Sequence, residues 1–130
     1  MQIIQKVQIK KILTDNSREQ LREEYEQSIR QYENESQQLL FEQKKLEHRT
    51  NSTSKKQEIT DRFQKEISNR DDHINWYRYK IQQLDSLPVG SEIPAGEVDA
   101  LVEVEEGMKW EQIKQNSSIT IEDGVVVKLN

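Results

Sequence analysis

Apolar and polar residues alternate at the start of the chain. Within residues 2–13, Ile3, Val7, Ile9 and Leu13 point to one side. Lys6, Gln8 and Lys10 point to the other, and Ile4 and Ile12 break the pattern at its ends. A period of two with β-branched residues predicts a half-buried strand. Because a lone strand is not stable, this one must pair with strands elsewhere in the chain.

The pattern changes to a helical period in residues 15–86. Glycine and proline are absent there, and Glu, Gln, Lys and Arg dominate. Asp15, Asn16 and Ser17 are candidate N-caps. Apolar residues follow at three-, four- and seven-residue steps along two faces: Leu21, Tyr25, Ile29, Tyr32, Leu39 and Leu46, then Phe63, Ile67, Ile74, Tyr77, Ile81 and Leu84.

A polar stretch at residues 48–57 separates the two helical faces. It has no apolar residue, and residues 50–54 are all Ser, Thr or Asn, which favour turns over helix interiors. This predicts an antiparallel hairpin with its tip near residues 48–56. The seven-residue register nevertheless continues through the stretch, so one continuous helix that dimerises through its seam is the alternative. The hairpin is favoured because it returns the chain to its first strand.

Strand patterns reappear near the C-terminus. Residues 87–98 hold both prolines and two glycines, which predicts a loop. Val98, Ala100, Val102 and Val104 then alternate and face one way, with Leu101 on the opposite face. Residues 108–115 predict a short helical turn pinned by Trp110 and Ile113. The dipeptide at residues 123–124, Asp-Gly between apolar runs, predicts a hairpin with a type I′ turn.

These elements predict an α+β fold. Residues 1–14 supply a strand that completes the β domain, residues 15–86 a long antiparallel helical (coiled-coil) hairpin, and residues 87–130 a small antiparallel β domain or barrel. We expect the base of the hairpin to pack on this domain, since its own core is small.

Composition narrows the class of protein. The chain has no cysteine, so disulfides, cysteine zinc sites and thiol chemistry are excluded. Neither a secretory apolar segment nor a membrane span is found, and we expect a cytoplasmic location without membrane contact. The net charge of −5 combines +3 in residues 1–14, −2 in residues 15–86 and −6 in residues 87–130. An anionic partner would therefore meet a part of the chain other than its acidic C-terminal end.

The sequence contains no recognisable catalytic constellation. His73 follows Asp71 and Asp72, but adjacent helical residues diverge and chelate one ion poorly. The many paired carboxylates are typical of a solvated helix face, and no phosphate-binding glycine loop is present. We therefore expect no enzymatic activity, no cofactor, no metal and no small-molecule substrate.

Two groups of residues are candidates for partner contact. The first is the hairpin tip, where Lys44, Lys45, Arg49, Lys55 and Lys56 face a single acid, Glu47. The second lies on the second helix, where aromatic and basic residues alternate in a way that suits binding hot spots or stacking on unpaired bases: Trp76, Arg78 and Tyr79. Ordinary solubility explains the tip as well, and packing at the hairpin base explains the aromatic group.

The chain also resembles a known family. Its opening strand, the segments QQLLFEQKKLE and VEVEEGMKWEQI, and the closing ITIEDGVVVKL are similar to the YlqD family of uncharacterised bacterial proteins over essentially the whole chain. The resemblance implies a bacterial protein often encoded among genes for ribosome maturation. It supplies no established activity and no catalytic motif.

We therefore expect a non-catalytic binding or adaptor protein that contacts RNA, the ribosome or another ribonucleoprotein assembly through the basic tip. The alternative is a structural scaffold protein that acts by coiled-coil self-association, with an inert tip. In both cases a protein partner or a second copy of the chain is the expected companion.

Overall fold

The computed structural model describes residues 1–115 and 117–130, and shows an α+β protein. The elements are, in chain order, β1 (Gln2–Ile12), α1 (Asp15–Arg49), α2 (Thr53–Ser86), β2 (Glu92–Glu103), α3 (Trp110–Ile113), β3 (Ser117–Glu122) and β4 (Val125–Leu129). They form two compact units. The sheet unit comprises Met1–Arg18 and Leu87–Asn130, and the hairpin unit comprises Glu19–Ser86. The predicted fold class and the order of strand, helical hairpin and sheet are confirmed.

The four strands form one sheet in the order β2-β1-β3-β4. β1 pairs antiparallel with β2, and β3 pairs antiparallel with β4 in the hairpin that the Asp-Gly dipeptide predicted. The central pair, β1 with β3, is parallel. These parallel neighbours are not consecutive in the chain, because the two long helices and β2 lie between them. The segment that contains α3 is the crossover, since it joins β2 on one side of β1 to β3 on the other. The sheet is therefore mixed, with β2 and β4 at its edges.

The predicted alternation in β1 is present in the sheet. Val7 is buried, Ile3 and Ile9 on the same face are half-buried, and Ile4 on the opposite face is 70% exposed. Gln5 interrupts the apolar face, yet it has a structural role. Its side-chain amide donates hydrogen bonds to the backbone oxygens of Ile113 (3.0 Å) and Gln115 (2.8 Å), and so ties the crossover to β1.

Two predictions about the C-terminal segment need correction. The loop predicted for residues 87–98 is strand from Glu92 onwards. β2 tolerates Pro94 because it is an edge strand, and the pairing register shifts by one residue near Gly96, whose φ of +100° suits glycine. In α3, Trp110 is 60% exposed, so it does not pin this turn. Gln5 performs that function instead.

The β3–β4 connection is the predicted type I′ turn. Glu122 pairs with Val125, which leaves Asp123 and Gly124 as the two turn residues. Their φ angles are +46° and +82°, so both are left-handed as this turn requires.

The first helix begins at a different cap from those predicted. Asp15, Asn16 and Ser17 were the candidates, but the reciprocal hydrogen bonds of a capping box identify Thr14 as the N-cap. The Ser17 N–H donates to Thr14 Oγ1 (3.0 Å), and the Thr14 N–H donates to Ser17 Oγ (2.8 Å). The Thr14 hydroxyl also lies 2.8 Å from Asp123 Oδ1, which joins the helix start to the β3–β4 turn.

The two long helices are antiparallel neighbours, so the continuous helix considered as an alternative is wrong. α1 ends at Arg49 and α2 begins at Thr53. Side chains contact each other between the helices along their length. The rings of Tyr32 and His73 stack at 4.8 Å, and Arg70 Nε lies 3.3 Å from Glu35 Oε2.

The hairpin seam is apolar in α2 and more polar in α1. Phe63, Ile74 and Leu84 are buried, in agreement with their predicted positions. Burial between the helices, with smaller contributions from Glu24 and Tyr77, raises the pKa of the Tyr25 phenol.

Near the tip, the residue buried in the seam is not the apolar residue that the sequence predicts. Leu46 is 38% exposed, whereas Gln43, one turn earlier, is 6% exposed and takes the buried position.

Candidate functional site

The reversal at the hairpin tip takes only three residues, Thr50–Ser52, and is shorter than the predicted turn. At the end of α1, the Thr50 hydroxyl donates to the Leu46 carbonyl (2.8 Å), and the Thr50 N–H donates to the Glu47 carbonyl (3.2 Å). At the start of α2, Ser52 Oγ accepts from the Lys55 N–H (3.5 Å). Hydroxyl side chains thus satisfy backbone groups that both helix ends leave open.

The five predicted tip cations are brought to one end of the hairpin by this short turn. All five are exposed, namely Lys44, Lys45, Arg49, Lys55 and Lys56. Across residues 1–115 and 117–130, no carboxylate lies within ion-pair distance of any of them, although other cations of the hairpin do form ion pairs. With Glu47 as the one acid among residues 44–56, the formal charge of the tip is +4.

The tip cations of α1 and those of α2 lie at opposite ends of their helix dipoles. Arg49 lies in the last turn of α1, where a cation is favoured by the helix C-terminus. Lys55 and Lys56 follow the N-terminus of α2, and the first turn of that helix has no acid. Two cations therefore sit at the positive end of a dipole. The first turn of α2 offers these two cations no acid, and the nearby carboxylate of Glu47 belongs to α1.

Glu47 lies at the centre of the tip. A groove around it is lined by Lys44, His48, Lys56 and Thr60. Its carboxylate accepts hydrogen bonds from the Thr60 hydroxyl and from the Gln43 amide, the latter at 2.9 Å.

These contacts have an electrostatic consequence. The two hydrogen bonds, first that of Thr60 and then that of Gln43, lower the pKa of Glu47, and Lys56 and Lys44 add to the effect. Glu47 is therefore ionised at neutral pH and is held in place.

Sequence reasoning did not identify the residues that support Glu47. Gln43 also accepts a hydrogen bond from the Gln64 amide (3.1 Å), so a polar layer crosses from one helix to the other. The spacing of four residues between Gln43 and Glu47 is a signal in the sequence, since it places both on one helix face. Thr60 gives no comparable signal, because its contact depends on the opposite helix.

The three residues of the second predicted group, Trp76, Arg78 and Tyr79, are exposed on α2. Trp76 is 51% exposed and Tyr79 is 55% exposed. Lys80 Nζ lies 5.2 Å from the centre of the Trp76 ring, and the Gln83 amide donates to the Tyr79 hydroxyl (2.9 Å). Arg78 forms an ion pair with Glu33 at 3.4 Å.

This aromatic group and the tip are separate surfaces of the hairpin. Trp76 follows Lys56 by twenty residues on the same helix, which corresponds to about 30 Å. The structure therefore does not bring the two predicted groups into one site.

Among the described residues, no group of three or more His, Asp or Glu side chains is arranged to hold a metal ion. Within the same part of the chain, no helix has the length and apolar character needed to cross a bilayer.

Comparison with known proteins confirms the resemblance seen in the sequence. A family model described as YlqD protein matches residues 1–130. The chain is 33% identical over 129 residues to a protein of Bacillus subtilis (strain 168) named "Uncharacterized protein YlqD", and the match covers 99% of this chain and 98% of the relative.

The fold also resembles a solved structure. A crystal structure from Synechococcus sp. WH 8102, described as a protein of unknown function, has a TM-score of 0.90 at 16% identity, over 100% of this chain and 96% of that one. At this identity the likeness concerns the fold alone.

Proposed function

This chain belongs to the YlqD family, and we propose that it acts by binding rather than by catalysis, contacting RNA or a ribonucleoprotein surface with the tip of its helical hairpin. The observation that carries the proposal is the group of five exposed cations at the tip, none of which is held in an ion pair within the described chain. The protein as a whole has a net charge of −5, so this concentration of positive charge is local.

The chemistry of the tip suits a phosphate backbone. Lysine and arginine side chains that neutralise phosphates release counterions, and this release supplies most of the sequence-independent affinity for nucleic acid. The N-terminus of α2 adds backbone N–H groups that favour anions. The acidic sheet unit repels the same ligand, which restricts contact to the tip. A narrow hairpin end is also able to enter a groove or crevice of a ribonucleoprotein.

The proposal is tested with a charge-reversal variant of the full chain. Lys44, Lys45, Lys55 and Lys56 are changed to Glu, and binding to a labelled 20-nucleotide uridine RNA is measured over a salt series. A matched control makes the same total change of charge away from the tip, at exposed lysines that form no ion pair in the described part of the chain: Lys11, Lys65, Lys109 and Lys114.

For the unmodified protein we expect log K to fall with log salt with a slope between about −2 and −3.5, for three to five cations in contact with phosphates at roughly −0.7 per contact for a single strand. The tip variant should lose binding, and the control variant should keep most of it. Equal affinity of the tip variant and the unmodified protein would rule out contact through the tip. If only an intact ribonucleoprotein particle, and no free RNA, captures the protein in a tip-dependent manner, the partner is the assembled surface.

A second candidate function, self-association as a scaffold, is favoured by a different observation. Large apolar side chains are exposed on α1, where Phe41 is 68% exposed, and along β4, where Val125, Val126, Val127 and Leu129 are all exposed. Contacts between copies would remove these side chains from water. Light scattering after size exclusion decides between the candidates. A concentration-independent monomer eliminates the scaffold, and a dimer that Phe41→Glu dissociates supports self-association through the helices.

A further inference from the structure

The carboxylate of Glu47 divides the five tip cations into two groups. Two of the five tip cations, Lys44 and Lys56, line the groove around Glu47 and contribute to its low pKa. The other three cations, Lys45, Arg49 and Lys55, do not line it. The tip thus has inner cations that face an anion of the chain itself, and outer cations that face none.

The groove is also poor in free neutral donors. The Thr60 hydroxyl lies within hydrogen-bond distance of the Glu47 carboxylate, and the Gln43 amide donates to it at 2.9 Å. A phosphate group that entered the groove would meet a fixed negative charge whose hydrogen-bond donors are already engaged. At neutral pH a phosphate monoester carries a charge of about −1.5 to −2, so its repulsion by Glu47 is strong in this position.

We propose that Glu47 is a specificity-determining residue, which excludes single phosphate groups from the tip groove and leaves the outer cations to hold a chain of phosphates. The inference rests on the proposed function. A lone phosphate held by the two inner lysines would lie in the same groove as the Glu47 carboxylate, whose charge no ion pair with either lysine neutralises within the described residues. A polyanion binds Lys45, Arg49 and Lys55 without entering the groove, because its affinity is the sum of several separate phosphate contacts. The hairpin therefore selects a polymer over free phosphate or a mononucleotide.

The test replaces the carboxylate with its neutral isostere in the full-length chain. Glu47→Gln keeps an oxygen that accepts from Thr60 and Gln43, so the fold is retained. The matched control is Glu58→Gln, which removes an exposed carboxylate early in α2 that does not line the groove. Each protein is titrated with inorganic phosphate at constant ionic strength and followed by amide NMR shifts of the groove residues. Each is also titrated with the 20-nucleotide uridine RNA.

The unmodified protein and the Glu58→Gln control should show no saturable phosphate shifts, and Glu47→Gln should show them at Lys44, His48 and Thr60. RNA affinity of Glu47→Gln should rise about fourfold at 0.15 M salt, with a salt slope steeper by about 0.7, as expected for one further cation in contact. Saturable phosphate binding by the unmodified protein, or identical behaviour of Glu47→Gln and Glu58→Gln, overturns the inference. Neither result affects the proposed function, which fails separately if charge reversal at the tip leaves RNA binding unchanged.

Discussion

The contact of Thr14 with Asp123 provides a quantitative test of how the sheet unit is held together. Thr14 is the N-cap of α1, and its hydroxyl also lies 2.8 Å from Asp123 Oδ1 in the β3–β4 turn. Thr14→Val keeps the shape of the side chain and removes both interactions. Loss of a threonine cap costs about 1 kcal/mol, with a range of roughly 0.5–2 kcal/mol. Loss of the hydrogen bond to a charged but exposed acceptor adds about 1 kcal/mol.

We therefore expect Thr14→Val to lower the free energy of unfolding by about 2 kcal/mol. The assay is urea denaturation followed by far-ultraviolet circular dichroism. A double-mutant cycle with Asp123→Gly isolates the contact, since glycine tolerates the positive φ of this turn position but lacks the acceptor. Asp123→Asn is the control, because it retains both an acceptor oxygen and a tolerance for left-handed backbone.

The expected coupling energy between Thr14 and Asp123 is about 0.5–1 kcal/mol. A coupling indistinguishable from zero would show that the hydroxyl does not bridge the helix start and the turn in solution. A total loss well under 0.5 kcal/mol for Thr14→Val would refute the capping assignment as well.

Three further predictions concern other parts of the chain. Phe63→Ala should destabilise the hairpin by about 3–5 kcal/mol because Phe63 is buried in the seam, whereas Phe41→Ala should cost far less; equal losses in thermal unfolding would contradict this packing. Gly124→Ala should cost about 1–2 kcal/mol, since φ is +82° in this turn, and an unchanged urea midpoint would argue against the type I′ turn. Thr60→Val should raise the pKa of Glu47 toward its ordinary value by removing the largest cause of its depression, as measured by carboxyl-carbon NMR. Because the folded-state pKa is lowered, the stabilisation from this carboxylate is present at neutral pH and is lost as the pH falls through that pKa, and Thr60→Val should reduce this acid-dependent loss.

Much of the fold follows from local patterns in the sequence. The alternation at Ile3 and Val7, the helical periods and the Asp-Gly turn each predict one element correctly, because each depends on neighbouring residues. The parallel pairing of β1 with β3 was not predicted, since it depends on where the crossover passes and not on either strand alone. The role of Gln5 was missed for the same reason, because its partners lie more than a hundred residues away.

The N-cap of α1 shows how several acceptable residues obscure a local prediction. Thr14, Asp15, Asn16 and Ser17 all have side chains that cap helices. Asp123, which is distant in sequence, engages the Thr14 hydroxyl and so adds a tertiary contact to one of these local alternatives. Local preferences restrict the helix start to a few residues, and tertiary contacts select among them.

The candidate site lies where the hydrophobic pattern is weakest as a guide to packing. The sequence predicts Leu46 in the seam, yet Gln43 is buried there and joins Glu47 and Gln64 in a polar layer. A three-residue turn already fixes how the helices align at this end, so apolar packing is least needed. The buried Gln43 is tolerated in the seam because it has hydrogen-bond partners both along its own helix and across to the other one. The same layer positions a carboxylate among the tip lysines, so the departure from apolar packing is what gives the tip its distribution of charge.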